Sequence, residues 1–209
     1  GRTELLRTMF GLDTVEAGAL VVSGVGASGG RPWARISQGF GLLSEDRQGE
    51  GLALAMSLAD NVTLSRFSPY RRRGLLKLGR QRQAAADWIG RMKIKARDPL
   101  QKVHSLSGGN QQKVALARLL HQEAEVLLLD EPTRGIDVVS KAQIYEWIGE
   151  LARRGKAVLF VSSYLPELLG VCDRIAVFYR GGLVEAREAS AWDARSLMAA
   201  ATVGRAAAN

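Results

Sequence analysis

The chain has 209 residues, 46% of them hydrophobic and 24% charged, and 29 Lys and Arg against 21 Asp and Glu give a formal net charge of +8. That suits one domain with a sizeable core, with or without a small insert, and the basic balance favours anionic partners (nucleotide, nucleic acid or headgroups) without choosing among them. An internal disulfide is excluded because Cys172 is the only cysteine, which suits a reducing compartment. No apolar run approaches the roughly 18–20 residues that span a bilayer, and no signal peptide is visible, though an upstream one is left open.

The first stretch, "GRTELLRTMFG", is helix-like, with Leu5, Leu6, Met9 and Phe10 forming one apolar stripe. "GALVVSG" (18–24) reads as a short strand between glycines, and "GASGGRP" (26–32) as a loop with Pro32 set for a first helical turn. "GFGLLSEDRQGEGL" (39–52) is a short strand running into a charged, glycine-bounded loop. Residues 58–105 read as mostly helical and strongly basic, broken at "FSPY". "LSGGNQQKVALARLL" (106–120) is a glycine turn and a helix expected from about Asn110. "EVLLLDEP" (125–132) and "KAVLFVSS" (156–163) are buried-strand signals, with the amphipathic helix "SKAQIYEWIGELARRG" (140–155) between them. "LPELLGVC" is a short helix, and "DRIAVFYRGGLVEAR" (173–187) a hairpin with a Gly-Gly turn. Residues 188–209 are expected to form one helix and a frayed end. From about residue 106 strands alternate with helices. That predicts an α/β fold with a parallel sheet and ligands at the carboxyl ends of its strands, interrupted by an inserted helical subdomain at 58–105.

Two stretches carry chemistry. An apolar strand delivers Asp130 and Glu131 to the sheet edge. The first suits a hydrated Mg²⁺, a hard cation wanting oxygen ligands. The second suits polarising a water for attack on a phosphoryl group. The competing reading is a strand that ends in a solvated acidic turn. In "LSGGNQQ", Ser107 is placed to cap a helix, while Gly108 and Gly109 let backbone approach an anion at the helix amino end. Here the competing reading is a capped helix after a flexible turn. The two stretches together, about twenty residues apart, are far more specific than either alone.

On "LSGGNQQ", "VLLLDEP" and "RGID" the chain resembles ABC-type ATPase domains, with these as signature motif, Walker B strand and D-loop. More narrowly, "SEDRQGEGL", "NQQKVALARLL", "DEPTRGID" and "SSYLPELL" resemble the second ATPase half of importers of simple sugars of the ribose, galactose and xylose class. The resemblance covers essentially residues 1–185. It implies a P-loop NTPase-type parallel-sheet core with an inserted helical subdomain and small antiparallel β elements. The implied divisions are a partial ATP-binding core (1–57), a helical subdomain (58–105), the remaining ATPase core (106–187) and a helical tail (188–209). It also implies that "GRTEL" is the end of a phosphate loop in which the chain begins. Gly1 is then the last loop glycine, Arg2 stands in the lysine position, and Thr3 carries the Mg²⁺-binding hydroxyl. The alternative is an unrelated glycine before an ordinary helix.

ATP and Mg²⁺ are the implied cofactors, with Asp130 and Thr3 on the metal. Gly1, Arg2, Thr3, Glu45, Ser107, Gly108, Gly109, Gln112 and Asp137 are the implied nucleotide-binding positions, and Glu131 and Ser163 the catalytic ones. Implied partners are another ATPase half, integral membrane permease subunits and, indirectly, a sugar-binding protein, at the cytoplasmic face of a membrane. The full protein would hydrolyse ATP, and this stretch by itself is expected to be inactive. Three positions depart from the family pattern: Arg2 replaces lysine, Glu45 replaces the usual glutamine, and Ser163 replaces histidine. All three lie on one nucleotide face, so the site on this half's own loop is expected to be weak. The signature loop, which would complete the site of the other half, shows no such change.

The basic cluster Arg71, Arg72, Arg73, Lys77, Arg80 and Arg82 reads first as a solvated helical face and second as a face beside a membrane subunit or headgroups. Nucleic acid ranks last because no aromatic residue interleaves with the charges. His104 and His121 show no metal-site spacing. Trp88, Trp147 and Cys172 read as packing residues. Rival functions are a soluble ABC ATPase acting on ribosomes or nucleic acid, and a non-hydrolysing regulatory half.

Overall fold

The computed structural model describes residues 1–22, 25–26 and 30–204. Helix α1 (Arg2–Phe10) ends at Gly11 and is followed by the small antiparallel pair β1 (Val21–Val22) and β2 (Val25–Gly26). Helix α2 (Pro32–Ser37) leads into β3 (Phe40–Leu43). A basic arm follows: α3 (Leu58–Thr63), β4 (Arg71–Arg72), β5 (Leu75–Leu76) and α4 (Leu78–Arg91). Then come α5 (Gly108–Gln122), β6 (Val126–Asp130), α6 (Val138–Arg153) and β7 (Ala157–Val161). The last elements are α7 (Leu165–Val171), β8 (Arg174–Tyr179), β9 (Gly182–Glu188) and α8 (Ala194–Val203).

The parallel α/β core has the strand order β3-β6-β7. Its central strand explains its layers. Successive side chains of a strand face opposite sides. Leu127 and Leu129 enter a cluster with Val114, Leu116 and Leu119 of α5 and Ile144 and Ile148 of α6. Leu128 enters another, with Phe40 and Leu6 of α1. All three leucines are 0–1% exposed, so truncating any one to Ala costs about 2–5 kcal/mol. A third cluster joins the β8–β9 hairpin to α8 through Ile175, Val177, Trp192 and Leu197.

Four sequence expectations change. Residues 58–105 hold, besides their helices, an antiparallel hairpin of two-residue strands between α3 and α4, and Ser57 bridges Lys102 beyond them. Arg73 (φ 50°) and Gly74 (φ 82°) form the turn of this hairpin, the primed geometry that matches strand twist. In the β8–β9 hairpin the turn is Arg180–Gly181 (φ 47° and 85°), and Gly182 already pairs with Tyr179. Helix α5 starts at Gly108, not near Asn110, since a first helical turn has unpaired N–H groups in any case and tolerates glycine. Finally, β7 is only half buried, with Leu159 38% exposed. Among the described residues it pairs with β6 alone. Beside it runs a groove of about 670 Å³ lined by Val158, Phe160, Leu168, Ile175, Val177 and Leu197. Of the expected strand at 18–24, Val21–Val22 are strand and 18–20 irregular, while 23–24 and the expected frayed end at 205–209 lie outside the described residues.

Candidate functional site

Parallel strands deliver their carboxyl ends to one edge. Leu43 pairs with Leu129 and Asp130 with Val161, so Ser44, Asp130 and Val161 stand level, with Ser162 one residue beyond. The amino end of α1 meets that edge. Arg2 Nη1 donates to the Ser162 carbonyl at 3.1 Å, and the Thr3 hydroxyl stands near enough to the Asp130 carboxylate to favour its charged form. Asp130 is 2% exposed, and its Oδ1 has no hydrogen-bond partner. Burial pushes its carboxyl above the ordinary range, against the opposing pull of Thr3 and Arg2.

The other expected residues of this edge are placed differently. Glu131 has a left-handed backbone (φ 46°), at a cost of about 1 kcal/mol for a side chain with Cβ. Its N–H donates to Val161 O at 2.9 Å, and its carbonyl accepts from Arg134 N–H at 3.1 Å. Glu45 is ion-paired with Arg134. Ser163 is exposed just past β7, and Gly1 caps α1 without a side chain.

A second cluster forms at the amino end of α5. Ser107 occupies the N-cap position, but its exposed hydroxyl caps no N–H and accepts from Asn110 Nδ2 at 2.8 Å. Arg47 Nη1 donates to the Gly108 carbonyl at 2.9 Å. A Cβ on Gly109 would sit 3.2 Å from Asp137 Oδ2, a tight contact, so glycine lets α5 lie this close to the start of α6 without displacing that carboxylate. Asp137 caps α6, its Oδ1 accepting from Ser140 N–H at 2.9 Å, and those bonds hold its carboxyl below the ordinary range. Gln112, 2% exposed, donates to Pro132 O at 2.7 Å and so ties α5 to the turn after β6. No hydrogen bond or ion pair among the described residues joins Ser107, Gly108 or Gly109 to Arg2, Thr3 or Asp130.

Sequence reading missed Glu167 of α7. It is 4% exposed and accepts from the Thr133 hydroxyl, from Tyr145 OH at 2.7 Å, from Ser162 Oγ at 2.8 Å and from Lys141 Nζ at 3.4 Å. Burial pushes its carboxyl up, but these donors outweigh burial and hold it below its ordinary value. The Tyr145 phenol is pushed up to about 12 by burial and by this carboxylate. The available signal was a hydroxyl following each of two strands, Thr133 and Ser162, with an acid in the next helix. Through Ser162, which also receives Arg2, the network links the sheet edge to α6 and α7.

A family model described as ABC transporter matches residues 1–134. A ribose import ATP-binding protein of Rubrobacter xylanophilus is 44% identical over 202 residues, covering 97% of this chain and 40% of that protein. One of Pseudomonas putida is 43% identical over 209 residues, covering 100% of this chain and 41% of that protein. The chain thus spans about two fifths of the length of these curated relatives. Among solved structures, a dimeric ATP-binding cassette in a post-hydrolysis state bound to ADP and Pi superposes with a TM-score of 0.76 at 21% identity, over 90% of this chain and 81% of that one. A nucleotide-free ATP-binding cassette from an ABC transporter gives 0.75 at 17% identity, over 90% and 76%.

Proposed function

This chain belongs to the ABC transporter family, and on that premise we propose that it is the nucleotide-binding half of an importer that couples ATP binding and hydrolysis to uptake of a simple sugar. The reading places it at the cytoplasmic face of a membrane, against permease subunits, with another ATPase half across a shared nucleotide interface and a sugar-binding protein upstream. Sugar uptake follows the ribose import names of its relatives. The observation that carries the interface is the packing of Gly109 against Asp137 beside the exposed Ser107, because it sets a helix amino end and a hydroxyl at one surface. Such an end stabilises phosphate charge through unpaired N–H groups and the helix dipole.

Asp130 and Thr3 fit a divalent cation: a buried carboxylate oxygen lacks a protein partner, and a hydroxyl stands beside it. A cation bound there would offset phosphate charge and relieve the cost of burying Asp130. Glu131 is the base of this reading, its carboxylate taking the proton of an attacking water, with Ser163 facing the terminal phosphate. Gly1, Arg2 and Thr3 line the phosphates on the same edge. Two of the departures from the family pattern are engaged within the chain: Arg2 with the Ser162 carbonyl and Glu45 with Arg134. Both engagements support a weak site on this edge and a working contribution from the α5 end. The division into a helical arm (58–105) between two parts of an ATPase core is part of the same proposal.

The test is uptake of a radiolabelled pentose by the full-length protein reconstituted with its membrane subunits. ATP-dependent uptake that Ser107→Arg abolishes is expected. Wild-type uptake in Ser107→Arg, or uptake indifferent to ATP, would overturn the reading.

A further inference from the structure

The arm between α3 and α4 carries more exposed charge and apolar surface than packing explains. Residues 71–82, "RRRGLLKLGRQR", hold six cations, three leucines and no acid. Arg71, Arg72, Arg73, Arg80 and Arg82 are exposed and Lys77 half-buried. None of the six forms an ion pair among the described residues. The nearest acids in sequence are engaged elsewhere, Asp60 with Ser57 and Gln81 and Asp87 with Gln83. Among these cations Leu75 is 75% exposed, Leu76 39% and Leu78 51%. Leu78 begins the stripe that continues through Gln81, Ala85, Trp88 and Met92, and it overhangs the core by one turn.

The arm is held firmly at its base. Lys77 N–H donates to Tyr70 O at 2.8 Å. Gln81, 2% exposed, donates to Thr63 Oγ1 at 2.9 Å and to Asp60 Oδ1 at 3.2 Å. His121 of α5 is gripped from both sides, by Tyr70 OH at 3.0 Å and by Trp88 Nε1–H at 3.2 Å. A hairpin fixed in this way presents its tip without a large ordering cost.

We propose that this hairpin docks on an anionic lipid surface, with Leu75, Leu76 and Leu78 entering the headgroup–acyl boundary and the surrounding cations on phosphates. Dense Lys and Arg around exposed aliphatic side chains is the chemistry of an interfacial anchor. Nucleic acid offers the leucines nothing, and no exposed aromatic interleaves with the cations for stacking. The inference deepens the reading of a chain working beside a membrane and rests on it only for location.

The purified chain is sedimented, without nucleotide, with vesicles of phosphatidylcholine containing about one third phosphatidylglycerol, and with pure phosphatidylcholine vesicles. Binding to the anionic vesicles alone is expected. It should weaken about tenfold or more in Arg71→Ser/Arg72→Ser/Arg73→Ser, and clearly in Leu75→Asp. An unchanged melting temperature shows that these exposed substitutions leave the fold intact. Absent binding, equal binding to both vesicles, or binding that Leu75→Asp leaves whole overturns the proposal. So does binding found only in neutral-lipid nanodiscs that carry permease subunits, which assigns the hairpin to a protein. Because no nucleotide takes part, failure of the ATP reading leaves this result standing, and the reverse holds too.

Discussion

The sheet edge and the amino end of α5 differ in where their polar groups are directed. At the edge, Arg2 is engaged by the Ser162 carbonyl and Glu45 by Arg134, while Glu131 holds a left-handed backbone. At α5, the Ser107 hydroxyl lies exposed, and Gly109 holds the helix end against Asp137. At the edge, side chains are tied to partners far away in sequence; at α5 the hydroxyl is held, among the described residues, only by Asn110 of its own helix.

The largest effect expected from this comparison is in transport. In the full-length protein at matched expression, Ser107→Arg should lower uptake by about 10²-fold or more, the usual cost of losing a well-placed electrostatic contact in a closed site. Glu131→Gln should leave uptake within about threefold of wild type, since the proposed reading puts it at the weaker site. Equal losses would erase the contrast between the regions.

Glu167 tests what supports the edge. Glu167→Ala should cost about 3 kcal/mol of stability, because Lys141 and three hydroxyls lose a buried acceptor. A urea midpoint shifted at unchanged slope checks this. The pH dependence has a definite sign. The folded carboxyl lies below its ordinary 4.5, so its contribution is present above that value and is lost as pH falls through the depressed one. Glu167→Gln should therefore flatten the acid limb of stability relative to wild type.

A smaller effect of opposite sign is expected at Asp130. Its folded carboxyl is raised, so charge there opposes folding at neutral pH. Asp130→Asn should stabilise the ligand-free chain by about 1 kcal/mol and remove any stabilisation by added Mg²⁺. Destabilisation on this substitution would mean that the buried carboxylate is already satisfied.

Much of this was legible in sequence, for identifiable reasons. The β6 run VLLLD is apolar on both faces, which marks a strand buried from both sides and so the position of Asp130 at its end. The parallel α/β core followed from strand–helix alternation, and the register then aligned the strand ends. The β4–β5 hairpin was not legible, because strands of two residues carry no period. Nor was the half exposure of β7, since an apolar run is the same whether one or two neighbours cover it. Glu167 escaped because its hydroxyl donors lie 34, 22 and 5 residues away and only the fold assembles them.

The uncovered rim of β7 bears on how the chain behaves in bulk. From Ala157 to Val161, half the backbone N–H and C=O groups find no ladder partner among the described residues, and the apolar groove runs beside them. Any extended apolar segment that reaches the rim gains hydrogen bonds and burial together. In a concentrated solution of this chain, the most abundant such segment is the β7 of a neighbouring copy. Turbidity is therefore expected to rise with protein concentration well below the melting temperature, and a strand seated on that rim would act as a solubiliser before it acted as anything else.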